Sequence, residues 1–281
     1  MTASTTNRRA DAPTVERDPA ADHDWRVAGE AWGHAATDWS CLFEHYAAAV
    51  ISAIHRRTDV GPETELLDVA CGSGLALSHA AAAGATVHGL DAAEPLVAIA
   101  RDRLPGVDIR VGSMFELPWP EASFDVVTSI NGVWGGCDGA IVEAHRVLRP
   151  GGWIGISFWG DGSPLDLRPV FKTFARHAPQ EHFTGMKRLN DIARHGVAES
   201  MLASAGFDHI ERHHRISVIE WPDAELAWRA VSSVGPAVPA LRHAGRATVR
   251  QAILDALEPC RDERGIYRFS NDHQVVLARR P

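Results

Sequence analysis

The residues best suited to chemistry in this 281-residue sequence lie between Leu67 and Gly74, where Leu-Asp-Val-Ala-Cys-Gly-Ser-Gly runs from an apolar stretch into an alanine-rich one. Glycines at Gly72 and Gly74 let the backbone turn tightly and let a ligand approach main-chain groups with no Cβ in the way. Turns of this kind also bind phosphates and dinucleotides, but the dinucleotide pattern requires a small residue three positions after its second glycine. Leu77 stands there after Gly74, which weakens that reading. A second carboxylate, Asp91, ends the run Val87-His88-Gly89-Leu90, where it can accept hydrogen bonds from two ribose hydroxyls. The 15 histidines raise a metal reading, and His209, Glu211 and His213 would share one strand face at two-residue spacing. His213 and His214 are neighbours and point to opposite faces, and no His-x-x-x-His pair with a partnering Glu falls on a clear helix. A solvated strand face is therefore expected, and no metal.

Five segments in a fixed order resemble the class I S-adenosylmethionine-dependent methyltransferases. They are Asp68 to Gly74, Val87 to Asp91, Gly112 to Pro118, Ser123 to Ser129 and Arg146 to Gly152, and the resemblance covers about Leu66 to Phe158. It is nearest to the broad group that includes the quinone-biosynthesis C-methyltransferases and many small-molecule enzymes. Ala70 replaces the usual first glycine, and Ser113 the usual adenine-binding Asp. The resemblance implies S-adenosyl-L-methionine as cofactor. Asp68 and the carbonyl near Ala70 would meet the methionine amino group, while Cys71, Gly72 and Gly74 form the floor. Asp91, with Ala92, would take the ribose, and Ser113, Met114 and Phe115 the adenine. Asn131, Gly132 and Trp134 would line the crevice after the fourth strand, and Trp39 would close over the methionine end.

The acceptor implied is a small molecule, apolar or aromatic, with Trp134 and Trp159 as candidate lining; the methylated atom is left open among O, N and C. Catalytic residues are unassigned, with His177 and His182 as candidates for an acceptor base. Two other readings stay open: a nicotinamide-dependent oxidoreductase, and a catalytically silent S-adenosylmethionine binder.

The elements that must hold these residues follow from periodicity. Apolar residues Trp39, Leu42, Phe43, Tyr46, Val50 and Ile54 recur at three- and four-residue steps, predicting an amphipathic helix from about Ala35 to Arg57. Strands at Leu66 to Ala70, Thr86 to Leu90, Asp108 to Val111, Phe124 to Ile130 and Trp153 to Phe158 alternate with helices at Leu75 to Ala83, Glu94 to Arg103 and Ala140 to Leu148. That alternation predicts an α/β, doubly wound (Rossmann-like), mostly parallel sheet of seven strands with an antiparallel last strand. The remaining strands are placed at His209 to Ile219 and His273 to Ala278, with helical material from Asp223 to Leu257 between them.

The expected organisation is a disordered leader at 1–24 and one domain at 25–281. Within that domain lie an N-terminal helical cap (25–60), a cofactor-binding core (61–160), a helical lid insertion (160–206, with helices near Pro169 to Arg176 and Asp191 to Ala205) and C-terminal strands and helices (207–281). A net charge of −8 gives no general attraction to nucleic acid or anionic lipid. The N-terminal residues lack the apolar core of a signal peptide or a membrane span, and Cys41, Cys71, Cys137 and Cys260 fit no metal knuckle or disulfide framework. A cytoplasmic protein with reduced thiols is expected.

Overall fold

The computed structural model describes residues 25–162, 164–180 and 190–281. Seven strands form one sheet in the order β3-β2-β1-β4-β5-β7-β6: β1 Glu65–Val69, β2 Thr86–Asp91, β3 Asp108–Val111, β4 Phe124–Ile130, β5 Leu148–Trp159, β6 Asp208–Trp221 and β7 Tyr267–Arg279. The first five pair in parallel, and β7 runs antiparallel to both β5 and β6. The apolar run Leu66-Leu67 with Val69 is buried on both faces, as parallel strands between helical layers require. Beyond β3 the chain returns to the middle of the sheet to form β4. This reversal opens a crevice at the carboxyl ends of β1 and β4, where open α/β sheets bind ligands.

The connecting helices are α4 Leu75–Ala82, α5 Glu94–Arg103 and α6 Asp138–Val147. Helix α5 shows why the sequence stops and starts there: Pro95 sits in its first turn, Leu96, Val97 and Ala100 form its buried stripe, and Leu104-Pro105 follows its end. The loop after β2 is crossed by α1, Trp25–Gly33. A Cβ on Gly29 would lie 2.1 Å from the Ala92 carbonyl, so only glycine permits that approach.

The helix expected from about Ala35 to Arg57 is not regular. It begins as α2, Ala36–Asp38, passes through a π-helical turn at Trp39–Phe43 and a 3₁₀ turn at Glu44–Ala47, and becomes α3 at Ala48–Arg57. Along these turns Trp39 stacks on Phe43 at 5.1 Å, and Phe43 meets Tyr46 edge-on at 5.3 Å.

After β5, α7 spans Arg168–His177, a 3₁₀ turn Asn190–Ala193 and α8 Val197–Ser204. The helix expected from Asp191 to Ala205 is thus two pieces, broken at Gly196, whose φ is +87°. Between β6 and β7 lie α9 Ala224–Ser232, α10 Ala237–Ala244 and α11 Arg246–Leu257. Strands β6 and β7 are longer than their apolar alternation predicts because each pairs with the other along nearly its whole length. The expected leader and His182 lie outside the described residues.

Two cores flank the sheet. On the cap side, Phe43, Val50, Ile54, Phe174, Trp228 and Phe269 pack together; on the other, Phe124, Ile141, Leu148 and Leu202 do. Among the described residues no helix is long and apolar enough to cross a membrane.

Candidate cofactor and acceptor site

The crevice is built where the β1 and β4 turns touch. Ala70 takes a left-handed conformation at φ +59°, the position the resemblance gives to glycine, and Asn131 does the same at φ +56°. A Cβ on Gly132 would lie 2.4 Å from the Ala70 Cβ, so Gly132 is needed to let the turns meet. A Cβ built on Gly72 (φ +54°) would make ordinary van der Waals contact with the Trp39 indole nitrogen at 3.8 Å. Trp39 therefore stands over the glycine turn.

Two carboxylates flank that turn. Asp68 is 1% exposed and Asp91 8%. Thr128 Oγ1 donates to Asp68 Oδ1 at 2.6 Å. Burial pushes the Asp68 carboxyl up to about 7, with the Thr128 bond opposing and the Asp91 charge adding to the rise. Burial raises Asp91 too, although Asp91 accepts backbone N–H bonds from Ala93 and Gly72. Those bonds are 2.7 Å from Ala93 to Oδ1 and 2.8 Å from Gly72 to Oδ2. Beyond the ribose role read from the sequence, Asp91 thus braces the glycine turn against the start of α5.

Other expected residues divide into those that face the crevice and those that do not. The Cys71 side chain packs inward with Leu77 and Val87, so only its main chain is available to a ligand. Ser113 Oγ accepts from the Phe115 N–H at 3.2 Å, a local turn that leaves the hydroxyl proton free. Met114, Phe115 and Trp134 are partly buried against the core on the far side of the sheet from the cap. His177 Nδ1 donates to the Thr173 carbonyl at 2.8 Å, closing the end of its own helix. On β6 the pairing register shifts between Asp208 and Glu211, and His209 has φ +45°, so His209 leaves the alternation. Glu211 instead pairs with Arg57 and His213 at the surface.

Sequence reasoning missed a neutral polar cluster under the cap. Tyr46, Ser157, Ser217 and His273 are 5%, 0%, 1% and 0% exposed. Asn131 Nδ2 donates to Tyr46 Oη at 2.9 Å, and its Oδ1 accepts from His273 Nε2 at 2.8 Å and from Ser157 Oγ at 3.3 Å. Ser217 Oγ meets His273 Nδ1 at 3.0 Å. Trp159 stacks 4.7 Å from the His273 ring and 4.6 Å from Tyr46. Asn131, expected to line the crevice, therefore has both amide atoms engaged. The available signal was the pair Asn271 and His273, which continue, two residues apart, the alternate positions of Tyr267, Phe269, Val275 and Leu277.

Glu44 and Arg103 were also missed. Arg103 donates to Glu44 Oε1 at 2.5 Å, to the Ser73 carbonyl at 3.0 Å and to the Ser40 carbonyl at 3.2 Å, and Ser73 Oγ donates to Glu44. The cap, the glycine turn and α5 are joined at this point. A groove of about 320 Å³ lies at the opposite end of the strands, lined by Asp125, Arg149, Trp153 and Arg279. Its guanidinium groups are engaged, Arg149 with Asp125 and Arg279 with the Gly151 carbonyl.

The fold and the crevice with its two buried carboxylates define a doubly wound α/β protein with a ligand crevice at the carboxyl ends of β1 and β4. A methyltransferase domain model matches residues 67–156. Nocamycin O-methyltransferase of Saccharothrix syringae is 32% identical over 189 residues, 59% of this chain and 67% of that protein. A probable S-adenosylmethionine-dependent methyltransferase of Mycolicibacterium smegmatis is 32% identical over 165 residues, 56% of this chain and 62% of its own length. The chain thus spans about two thirds or less of these curated relatives. Phosphoethanolamine N-methyltransferase 2 of Haemonchus contortus, solved with S-adenosyl-L-methionine, shares the fold at TM-score 0.54 and 18% identity, over 83% of this chain and 52% of that one. The chain belongs to the class I S-adenosylmethionine-dependent methyltransferases, which displaces the nicotinamide reading.

Proposed function

We propose that this chain transfers the methyl group of S-adenosylmethionine to a small-molecule acceptor beneath the N-terminal cap. The observation that carries the reading is the pair of buried carboxylates, Asp68 and Asp91, on either side of a glycine turn that Trp39 covers. Burial raises both carboxyls, and an ammonium or sulfonium group beside them stabilises their ionised form whereas a pyrophosphate would not, so the donor set fits this cofactor. When bound, the cofactor supplies a methyl group activated by positive sulfur.

The protein's own part is positioning. The main chain at Ala70, Gly72 and Gly74 and the Asp68 carboxylate would hold the amino-acid end, and Asp91 the ribose. Ser113, Met114 and Phe115 would take the adenine. Trp39 covers the turn and excludes water. Holding donor and acceptor in line is worth up to roughly 7–11 kcal/mol in favourable cases. The aromatic surfaces of Tyr46 and Trp159 beneath the cap favour an apolar or aromatic acceptor, and a relative named for O-methylation of nocamycin supports a small one. The partners proposed include neither nucleic acid nor membrane, and the proposed location is the cytoplasm.

Calorimetric titration tests the reading. S-adenosylhomocysteine should bind and NADH should not; the opposite result overturns it. Incubation with labelled S-adenosylmethionine and metabolite extracts should then yield S-adenosylhomocysteine. Binding with no turnover across broad extracts would move the assignment to a silent binder.

A further inference from the structure

The direction of every hydrogen bond in the cluster under the cap follows from the chemistry of its members. An amide oxygen only accepts, so His273 donates from Nε2 to Asn131 Oδ1, and His273 Nδ1 is left to accept from Ser217. The Asn131 amide nitrogen only donates, so Tyr46 Oη accepts from it. The series Ser217, His273, Asn131, Tyr46 therefore ends with the Tyr46 O–H proton still to be donated. Burial raises the Tyr46 pKa, which keeps the phenol protonated, and lowers the His273 pKa to about 3, which keeps the imidazole neutral.

A second donor lies on the same face of β7. Asn271 is 0% exposed; its Oδ1 accepts from the Leu167 N–H at 3.0 Å, and its Nδ2 is buried without a partner. A buried amide donor left unpaired is destabilising, and a ligand that accepts from it recovers that cost. Asp272 points to the opposite face, where its carboxylate meets His214 and Gln274. Within this cluster, then, the free groups are neutral donors, and both nitrogens of its imidazole are engaged.

We propose that the methyl acceptor is an organic oxyanion, a carboxylate or an enolate on a flat or apolar body, received by the Tyr46 hydroxyl and the Asn271 amide. The inference rests on the methyltransferase reading. With no free base in the cluster, the nucleophile arrives already deprotonated. The oxygen–methyl bond forms as the sulfur–methyl bond breaks, the electron pair of the latter stays on sulfur as a neutral thioether, and no proton moves. One positive and one negative charge disappear together, so an aromatic wall of low polarity favours the step. Asn131 and His273 are positioning residues that hold Tyr46 in orientation.

The test is calorimetry on the full chain saturated with S-adenosylhomocysteine, near neutral pH. Benzoate probes the carboxylate arm and dimedone, a cyclic diketone ionised at that pH, the enolate arm. At least one should bind at least tenfold more tightly than phenol and aniline. Tyr46→Phe and Asn271→Asp, which keeps the oxygen that Leu167 uses, should each weaken it about tenfold or more while leaving S-adenosylhomocysteine affinity intact. Should either variant fail to fold, the other decides. Binding of neither oxyanion, equal binding of the neutral controls, or full affinity in the folded variants overturns the inference alone. A wild-type chain that ignores S-adenosylhomocysteine refutes the methyltransferase reading and this inference with it.

Discussion

Asp91 serves two purposes, and the first limits how the second is tested. Its oxygens hold the Gly72 and Ala93 N–H groups, so Asp91→Ala removes the ribose acceptor and also frees the glycine turn. A hydrogen bond to a charged group contributes about 1.5–3 kcal/mol, and S-adenosylhomocysteine affinity should fall at least tenfold by calorimetry. Asp68 offers a cleaner signal. Its carboxyl, raised to about 7 by burial, is about half protonated near neutrality, and a cationic amine beside it favours the ionised form. Binding near neutrality should therefore expel up to about half a proton. Titrations in buffers of differing ionisation enthalpy would show it, and Asp68→Asn should abolish it. Identical heats in all buffers would contradict a cation next to Asp68.

At the level of elements, the cap is tied to the core chiefly by side chains of other segments. Arg103 of α5 reaches Ser40 and Glu44, Arg229 of α9 pairs with Asp38, and the Trp221 indole donates to the Leu42 carbonyl. Glu44 is 7% exposed. Arg103→Leu leaves that carboxylate buried without its cation, which typically costs about 3–5 kcal/mol. Because Arg103 is itself partly exposed, a loss near the lower end is expected in urea unfolding. Arg103→Leu combined with Glu44→Gln should recover much of it, whereas an equal or larger loss in the double variant would argue against an ion-pair role. These ties also show what a sequence can reveal. Strands β1 to β4 and helix α5 were legible because local periodicity, proline and glycine all agreed. The π turn at Trp39–Phe43 was not, because the apolar spacing there fits a regular helix equally well. The Tyr46–Asn131–His273 series joins residues up to 227 positions apart, and only the sheet order brings them together. Asp68 and Asp91 could be read because each ends a strand beside the crevice that the alternation itself predicts.

Over the whole molecule, buried titratable groups pull stability in opposite directions as pH changes. Asp68 ionises at about 7 when folded, against 3.8 as a free side chain. Between those values the native state holds a proton that the unfolded chain has released, so this group's contribution falls as pH rises toward 7. His273 and His55 behave oppositely, protonating at about 3 and about 4 when folded against 6.5 unfolded. In their window the unfolded chain binds the extra protons, so their contribution is full above 6.5 and is lost as pH falls. Each group can change stability by at most about 1.4 kcal/mol per pH unit. From about pH 4 to 6.5 one histidine therefore nearly cancels Asp68 in the wild type. Removing a group should expose its opponents. Asp68→Asn, whose amide oxygen can still accept from Thr128, should make stability climb more steeply with pH across that range, by up to about 1.4 kcal/mol per unit. His273→Gln should make it climb less steeply. Urea unfolding of the ligand-free chain at several pH values measures both slopes. Parallel curves for Asp68→Asn and wild type would mean that the Asp68 carboxyl is not held protonated by burial, and the electrostatic basis of the crevice would have to be drawn differently.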